Sequence, residues 1–367
     1  MSNTLSINRE FPACGYGLSG LCCSACLLGP CRISPFEREA ERGKCGASAD
    51  WLVAGNLLRM IAAETASRLA DLAQIVAQTR ASSRTPSARS SEKSKAAQDI
   101  FEKYGLDRDA AGKTCGATLL ASVIEDLLVL APPARKVASY LSRLYPVDVF
   151  PQFYSREILP TASLSLTGLT AFQLFQKIDA AVQDILQMCL KTSLVFLICE
   201  ELIQDLEILR GKRLSSEIRR DGSDLAEALN PALHPENAAL LIAGDQGGER
   251  FDREVETFRQ HWRGPLIEVS PPAVLLDIGR QFYRRYSRPV ADMAPLVVAL
   301  TSSAAQIVGI LGCGYTVISR PELPLSGSEP VGRFFGKDLK KALGSSYLSP
   351  EGGDILSVAR NHFRKKS

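Results

Sequence analysis

Between Cys14 and Gly46 the chain reads CGYGLSGLCCSACLLGPCRISPFEREAERGKCG, so six of its ten cysteines fall in one short segment spaced C-x7-C-C-x2-C-x4-C-x13-C. Nothing else in the sequence constrains the fold as tightly. Thiols this dense bind metal in a reducing compartment more often than they form disulfides. A reducing compartment is the expectation, because the opening MSNTLSINREFP lacks the basic start and apolar run of a secretory signal, and a cytoplasmic location follows.

A 4Fe-4S cluster needs four thiolates converging on a small cube, and a C-x2-C pair on a tight turn supplies two of them at little cost in chain entropy. Cys23, Cys26, Cys31 and Cys45 would make one complete set. Gly29 and Pro30 suit the tight loop between the second and third ligands, and Gly43 and Gly46 flank the last, where backbone must approach sulfur closely. Four thiolates also suit structural zinc. Zinc ribbons, however, show two C-x2-C knuckles about 15 to 20 residues apart, and the single knuckle with irregular intervals here favours iron and sulfur.

Cys14 and Cys22 remain, and two thiolates cannot saturate a cubane. Ligands from elsewhere in the chain, ligands from a second chain, or no metal at all would each account for them. A two-fold axis presents every residue twice and makes four cysteines of two, so a cluster held across a homodimer is the expectation.

After this segment, SADWLVAGNLLRMIAAETASRLADLAQIVAQT offers Ser48 and Asp50 as caps and sets Leu57, Ile61, Leu69, Leu72 and Val76 at helical spacing, predicting a helix over the cysteine site. Residues 81–98 are rich in serine and basic side chains with little to bury, as in a linker or exposed loop. From Leu169 to Arg210 there is neither glycine nor proline, and apolar residues recur every three or four places. One long helix or two end to end fit this run, with Cys189 and Cys199 as buried core thiols. Beyond Asn237, the runs AALLIAGD, GPLIEVS and APLVVALTS alternate with the helix-like FDREVETFRQHW and AVLLDIGRQFYRRY, the pattern of a doubly wound parallel sheet. AGDQGGER matches neither G-x-G-x-x-G nor the Lys-containing P-loop, so no nucleotide site is expected.

The predicted fold class is therefore a multidomain α+β protein, an N-terminal cluster-binding helical domain followed by a Rossmann-like α/β domain. The predicted boundaries are a cluster segment and helix at 1–80, a linker at 81–98, a helical domain at 99–235 and the α/β domain at 236–367. A hydrophobic fraction of 46% over 367 residues is enough for two or three cores. With 43 basic against 40 acidic residues, no nucleic-acid partner is implied. The apolar run SLVFLIC is closed by Glu200 and Glu201, far short of the roughly 20 residues that span a bilayer, so no membrane insertion is expected.

The stretch CGYGLSGLCCSACLLGPCRISPF, followed by GKCGASADWLVAGNLLRMIAA, closely resembles the amino-terminal cluster-binding region of the nickel-containing anaerobic carbon monoxide dehydrogenases. The resemblance includes all six cysteines at unchanged spacing. It implies that Cys14 and Cys22 bind a cluster shared by two subunits and that Cys23, Cys26, Cys31 and Cys45 bind a second one. VISRPELPLSGSEPVGRFFGKDLKKALG looks like the ending of that family, less specifically.

The family's nickel cluster is held by one histidine and several cysteines further along a much longer chain, and the resemblance fails at those ligands. Where ALLIAGDQGG and PLIEVSPPAVL resemble family segments carrying a ligand cysteine, this chain has Asp245 in the first and Ser270 and Pro271 in the second. ETASRLADLAQ lacks the family's proton-handling histidines. Only Cys115, Cys189, Cys199 and Cys313 remain, with His234, His261 and His362. Cys115 and Cys313 each adjoin a glycine but belong to no ligand pair, His234 reads as a loop residue, and His261 lies on an exposed helix face beside Trp262.

The resulting expectation is a shortened homologue that relays electrons through 4Fe-4S clusters, one per chain plus one shared per dimer, without a nickel cluster, to a redox partner or larger oxidoreductase complex. Two alternatives stay open: an active carbon monoxide dehydrogenase with a rearranged nickel site, and a structural subunit stapled by its clusters.

Overall fold

The Ser48 cap forms as expected. Its Oγ accepts a hydrogen bond from Trp51 N at 3.2 Å, satisfying one of the unpaired N–H groups of the first turn, and helix α1 runs from Ala49 to Ser82. The computed structural model describes residues 16, 20–34, 42–82, 95–106, 115–129, 134–177, 179–211, 240–243, 249–263, 266–293, 296–301, 303–319, 347–348 and 355–364. Cys14, His234 and Asp245 lie outside them.

Upstream of α1, β1 (Cys22–Cys23) and β2 (Cys31–Arg32) form a small ribbon. Downstream come α2 (Lys95–Tyr104), α3 (Gly116–Leu128), α4 (Ala134–Leu144), α5 (Pro151–Ser155), α6 (Leu164–Phe175) and α7 (Val182–Leu209). The glycine- and proline-free run thus becomes two helices. α6 is capped by Ser163, whose Oγ accepts from Leu166 N at 3.1 Å. α7 is apolar on nearly every side, as a fully enclosed helix must be, and it packs against α1 and α10 (Ala304–Gly312). Its length and composition would suffice to cross a membrane, but 67% of its most apolar window is buried inside the protein.

The parallel sheet is built from β3 (Leu240–Ala243), β4 (Leu266–Val269), β5 (Leu296–Ala299), β6 (Thr316–Ser319) and β7 (Tyr347–Leu348), in the order β4-β3-β5-β6-β7. Counted along the chain this is 2-1-3-4-5, the flavodoxin-like variant of the doubly wound sheet. Alternation along each strand splits the apolar side chains between two cores. Leu241, Ala243, Val297, Ala299 and Val317 join the large helical core together with α9 (Val274–Tyr286) and α10. Ile242, Leu296, Val298 and Ile318 face a smaller core with Val255 and Phe258 of α8 (Glu249–His261) and Ala359 of α11 (Ile355–Arg364).

Candidate metal centre

The ribbon pairs antiparallel in the register Cys22↔Arg32 and Cys23↔Cys31. Neighbouring side chains on a strand point to opposite faces. Cys23 and Cys31 therefore share one face, with directly paired Cβ atoms roughly 5 Å apart, and Cys22 points the other way. Cys23 and Cys31 are buried at 9% exposure each, Cys22 and Cys45 are half-buried, and Cys26 is exposed at the turn.

Cys45 reaches the Cys31 side through a tight backbone loop. Gly43 N donates to Ala47 O and Gly46 N to Gly43 O, both at 2.8 Å, and Gly46 sits at φ +88°, in the left-handed region that suits glycine. A Cβ added to Gly43 would stand 3.7 Å from both Cys31 Sγ and Cys45 Sγ. The two sulfurs therefore flank one small space beside bare backbone. Lys44 N donates to Cys31 Sγ at 3.4 Å. α1 fixes the ribbon from beneath: Asn56 Nδ2 donates to Gly20 O at 2.9 Å and to Cys22 O at 3.0 Å.

Cys23 and Cys31 share one face of the ribbon and Cys45 lies across a glycine-lined gap from Cys31; thiols are the donors that iron and sulfur take. Among the described residues, no three histidine, cysteine, aspartate or glutamate side chains converge into a metal-holding group. Cys26, at the turn of the ribbon, is exposed to solvent.

The other cysteines are placed differently. Cys189 and Cys199 are fully enclosed in α7 and Cys313 is 2% exposed at the end of α10. Burial pushes all three thiols well up, so at neutral pH they hold their protons, whereas the metal-ligating form is the thiolate. Cys115 is half-buried at the start of α3. No disulfide joins two of the described cysteines. His261 is exposed, its Nδ1 2.9 Å from Thr257 O, and His362 packs edge-on to Phe363 at 5.4 Å. Ser270, 7% exposed, follows β4.

Sequence reasoning missed a buried charge cluster joining α2, α7 and α9. Lys103 Nζ lies 2.7 Å from Glu201 Oε1, 2.7 Å from Asp205 Oδ2 and 3.3 Å from Asp277 Oδ1. Arg280 donates to Glu201 Oε2 at 3.2 Å and to Asp277 Oδ1 at 2.6 Å. Tyr145 Oη donates to Glu201 Oε2 at 2.5 Å and Tyr104 Oη to Asp205 Oδ2 at 2.7 Å. Burial works against the Glu201 carboxylate, yet Arg280 and Lys103 outweigh it and hold its carboxyl far below the usual range. Burial pushes Asp205 up, and Lys103 only partly opposes this because Asp277 and Glu201 repel it. The available signal was four acids of α7, Glu200, Glu201, Asp205 and Glu207, set among apolar residues of a buried helix.

A second device sits where open α/β sheets commonly take anions, the helix N-terminus next to the point at which the strand order reverses. Here the chain satisfies that end itself. Glu64 of α1 accepts from Ser303 Oγ at 2.7 Å, Ala305 N at 2.9 Å and Ala304 N at 3.3 Å, at the start of α10.

A cysteine-rich ribbon clamped onto a helical core, itself packed on a parallel sheet, defines a cysteine-rich α+β protein. The chain belongs to the Prismane/CO dehydrogenase family, whose model matches residues 21–209, just over half of it. Carbon monoxide dehydrogenase 1 of Methanosarcina mazei is 57% identical over 58 residues, covering 16% of this chain and 9% of that protein. The Methanopyrus kandleri carbon monoxide dehydrogenase is 33% identical over 118 residues (32% and 18%), and that of Methanocaldococcus jannaschii 25% identical over 186 residues (51% and 29%). The matched region thus spans less than a third of the length of each of these relatives. A nickel-free crystal structure of the carbon monoxide dehydrogenase from Thermococcus sp. AM4 aligns with 96% of this chain and 61% of its own, at 17% identity and TM-score 0.46.

Proposed function

We propose that this chain is an iron-sulfur electron-transfer protein of the carbon monoxide dehydrogenase type, without a nickel catalytic cluster. The register of the ribbon carries the reading: adjacent Cys22 and Cys23 point to opposite faces, so they serve different sites. Cys23, Cys26, Cys31 and Cys45 would hold a 4Fe-4S cluster within the chain. Cys22, with Cys14 and their copies from a second chain, would hold another on a two-fold axis. A bound cluster of this kind supplies reversible one-electron exchange, at a potential set by hydrogen bonds to sulfur and by burial. The chain contributes the N–H of Lys44 toward Cys31 Sγ, the burial of Cys23 and Cys31, and the Asn56 clamp on the Cys22 carbonyl.

The homodimer is supported by the turn between Cys26 and Gly29, where Leu27 is 105% and Leu28 59% exposed, an apolar tip that a second copy would cover. The reading without a nickel centre rests on the sequence, where Asp245, Ser270 and Pro271 stand at positions that resemble ligand-cysteine segments of the family. The experiment is nickel analysis of anaerobically purified protein together with carbon monoxide-dependent viologen reduction. The reading expects reversible one-electron redox titration by electron paramagnetic resonance, no stoichiometric nickel and no turnover. Stoichiometric nickel with turnover would replace it with an active dehydrogenase built on a rearranged site, and clusters that cannot be cycled would leave a structural staple.

A further inference from the structure

Beside the buried charge cluster, a cleft of about 280 Å³ opens to solvent and is lined by four cations, Lys103, Arg143, Arg280 and Arg284, against one carboxylate, Glu102. Two of its guanidinium groups, those of Arg143 and Arg280, are held in place. Arg143 is exposed, yet its Nη2 donates to Tyr104 O at 3.1 Å and its guanidinium lies 5.0 Å from the Tyr140 ring centre. It also lies against Gly105, which sits at φ +60°, where an added Cβ would come within 3.3 Å of Arg143 Nη1. Arg280 is fixed by Glu201, Asp277 and the Leu144 carbonyl, and stacks 5.0 Å from the Tyr145 ring centre.

The charges divide between the floor and the mouth. Lys103 and Arg280 are matched at the back by Glu201, Asp205 and Asp277. Arg143 and Arg284 stand at the mouth with only Glu102 among the lining acids. Guanidinium forks suit the oxygens of phosphate, and groups immobilised in advance lose little freedom when a ligand arrives. We propose that this cleft binds a small phosphate-bearing anion, contacted by Arg143 and Arg284 over the floor formed by Lys103 and Arg280. The site lies on α2, α4 and α9, and it stands independently of the cysteine ribbon and its metal.

Isothermal titration calorimetry of the full-length protein at low ionic strength tests this, with inorganic phosphate in one arm and glycerol phosphate in the other. Saturable one-site binding is expected in at least one arm. Saturation by both means that the phosphate group suffices, and saturation by glycerol phosphate alone identifies a phosphomonoester site. The double variant Arg143→Gln, Arg284→Gln should bind about tenfold more weakly or worse in protein that circular dichroism shows to be folded. Asp277→Asn, which strips a negative charge shared by two lining cations, should bind more tightly. No saturable binding of either anion, or wild-type affinity in the double variant, overturns the proposal, as does weaker binding by a folded Asp277→Asn.

Discussion

Glu201→Gln is the substitution whose consequence can be worked furthest from the structure. The carboxylate is 3% exposed and takes Lys103, Arg280 and Tyr145 as donors. Glutamine keeps the shape and one acceptor oxygen but leaves two buried cations short of a counter-charge. Breaking a buried ion pair by removing one partner costs about 3–5 kcal/mol. The retained oxygen puts the expectation at the low end, about 3 kcal/mol, a large part of the ~5–15 kcal/mol that holds a typical protein folded. Urea unfolding followed by far-ultraviolet circular dichroism at pH 7 measures it.

The pH dependence of the difference supplies a second check. Glu201 is held below its unfolded value, so its contribution is full above the unfolded pKa of about 4.3 and fades as pH falls toward the folded one. Lys103 is held above its unfolded value, because Asp205, Asp277 and Glu201 together outweigh its burial. Its contribution is therefore complete below about 10.4 and is lost only as pH rises through the higher folded value. The gap between wild type and variant should stay flat from about pH 5 to about pH 10 and shrink below about 4.3. A difference under about 1 kcal/mol at pH 7, the scale of an ordinary surface change, would refute the counter-charge reasoning. So would a gap that does not narrow in acid.

Other expectations are simpler. Gly43→Val places a branched side chain between Cys31 Sγ and Cys45 Sγ; iron affinity should fall about tenfold or more, the scale of changes beside a ligand, while the circular dichroism of metal-free protein is unchanged. Glu64→Ala strips the start of α10 of three acceptor contacts and should cost about 2 kcal/mol in urea unfolding. Cys189→Ala, at a fully enclosed thiol, should cost about 1 kcal/mol and leave the iron content untouched; loss of iron would make it a ligand.

Much of this was readable in the sequence where the signal is local. Leu57, Ile61, Leu72 and Val76 at helical spacing are all buried along α1, and the apolar runs after Asn237 became the parallel strands β3, β4 and β5. The break between α6 and α7 was not fixed, since residues 176–181 carry neither glycine nor proline to mark it. Contacts joining distant segments leave no periodic trace. Lys103 and Arg280 meet at Glu201 from positions 98 and 79 residues away, and Glu64 reaches Ser303 across 239. For the cysteines, spacing separated four from two, and pairing then set Cys22 and Cys23 on opposite faces, a division that depends on the strand register alone.

Native mass spectrometry of the anaerobically purified protein, combined with iron, sulfide and nickel analysis, tests the central claim most directly. The account predicts a homodimer carrying one 4Fe-4S cluster per chain plus one more per dimer, with no stoichiometric nickel, and loss of only the shared cluster in Cys22→Ser. A monomer holding a single cluster, or a dimer with stoichiometric nickel, would contradict it.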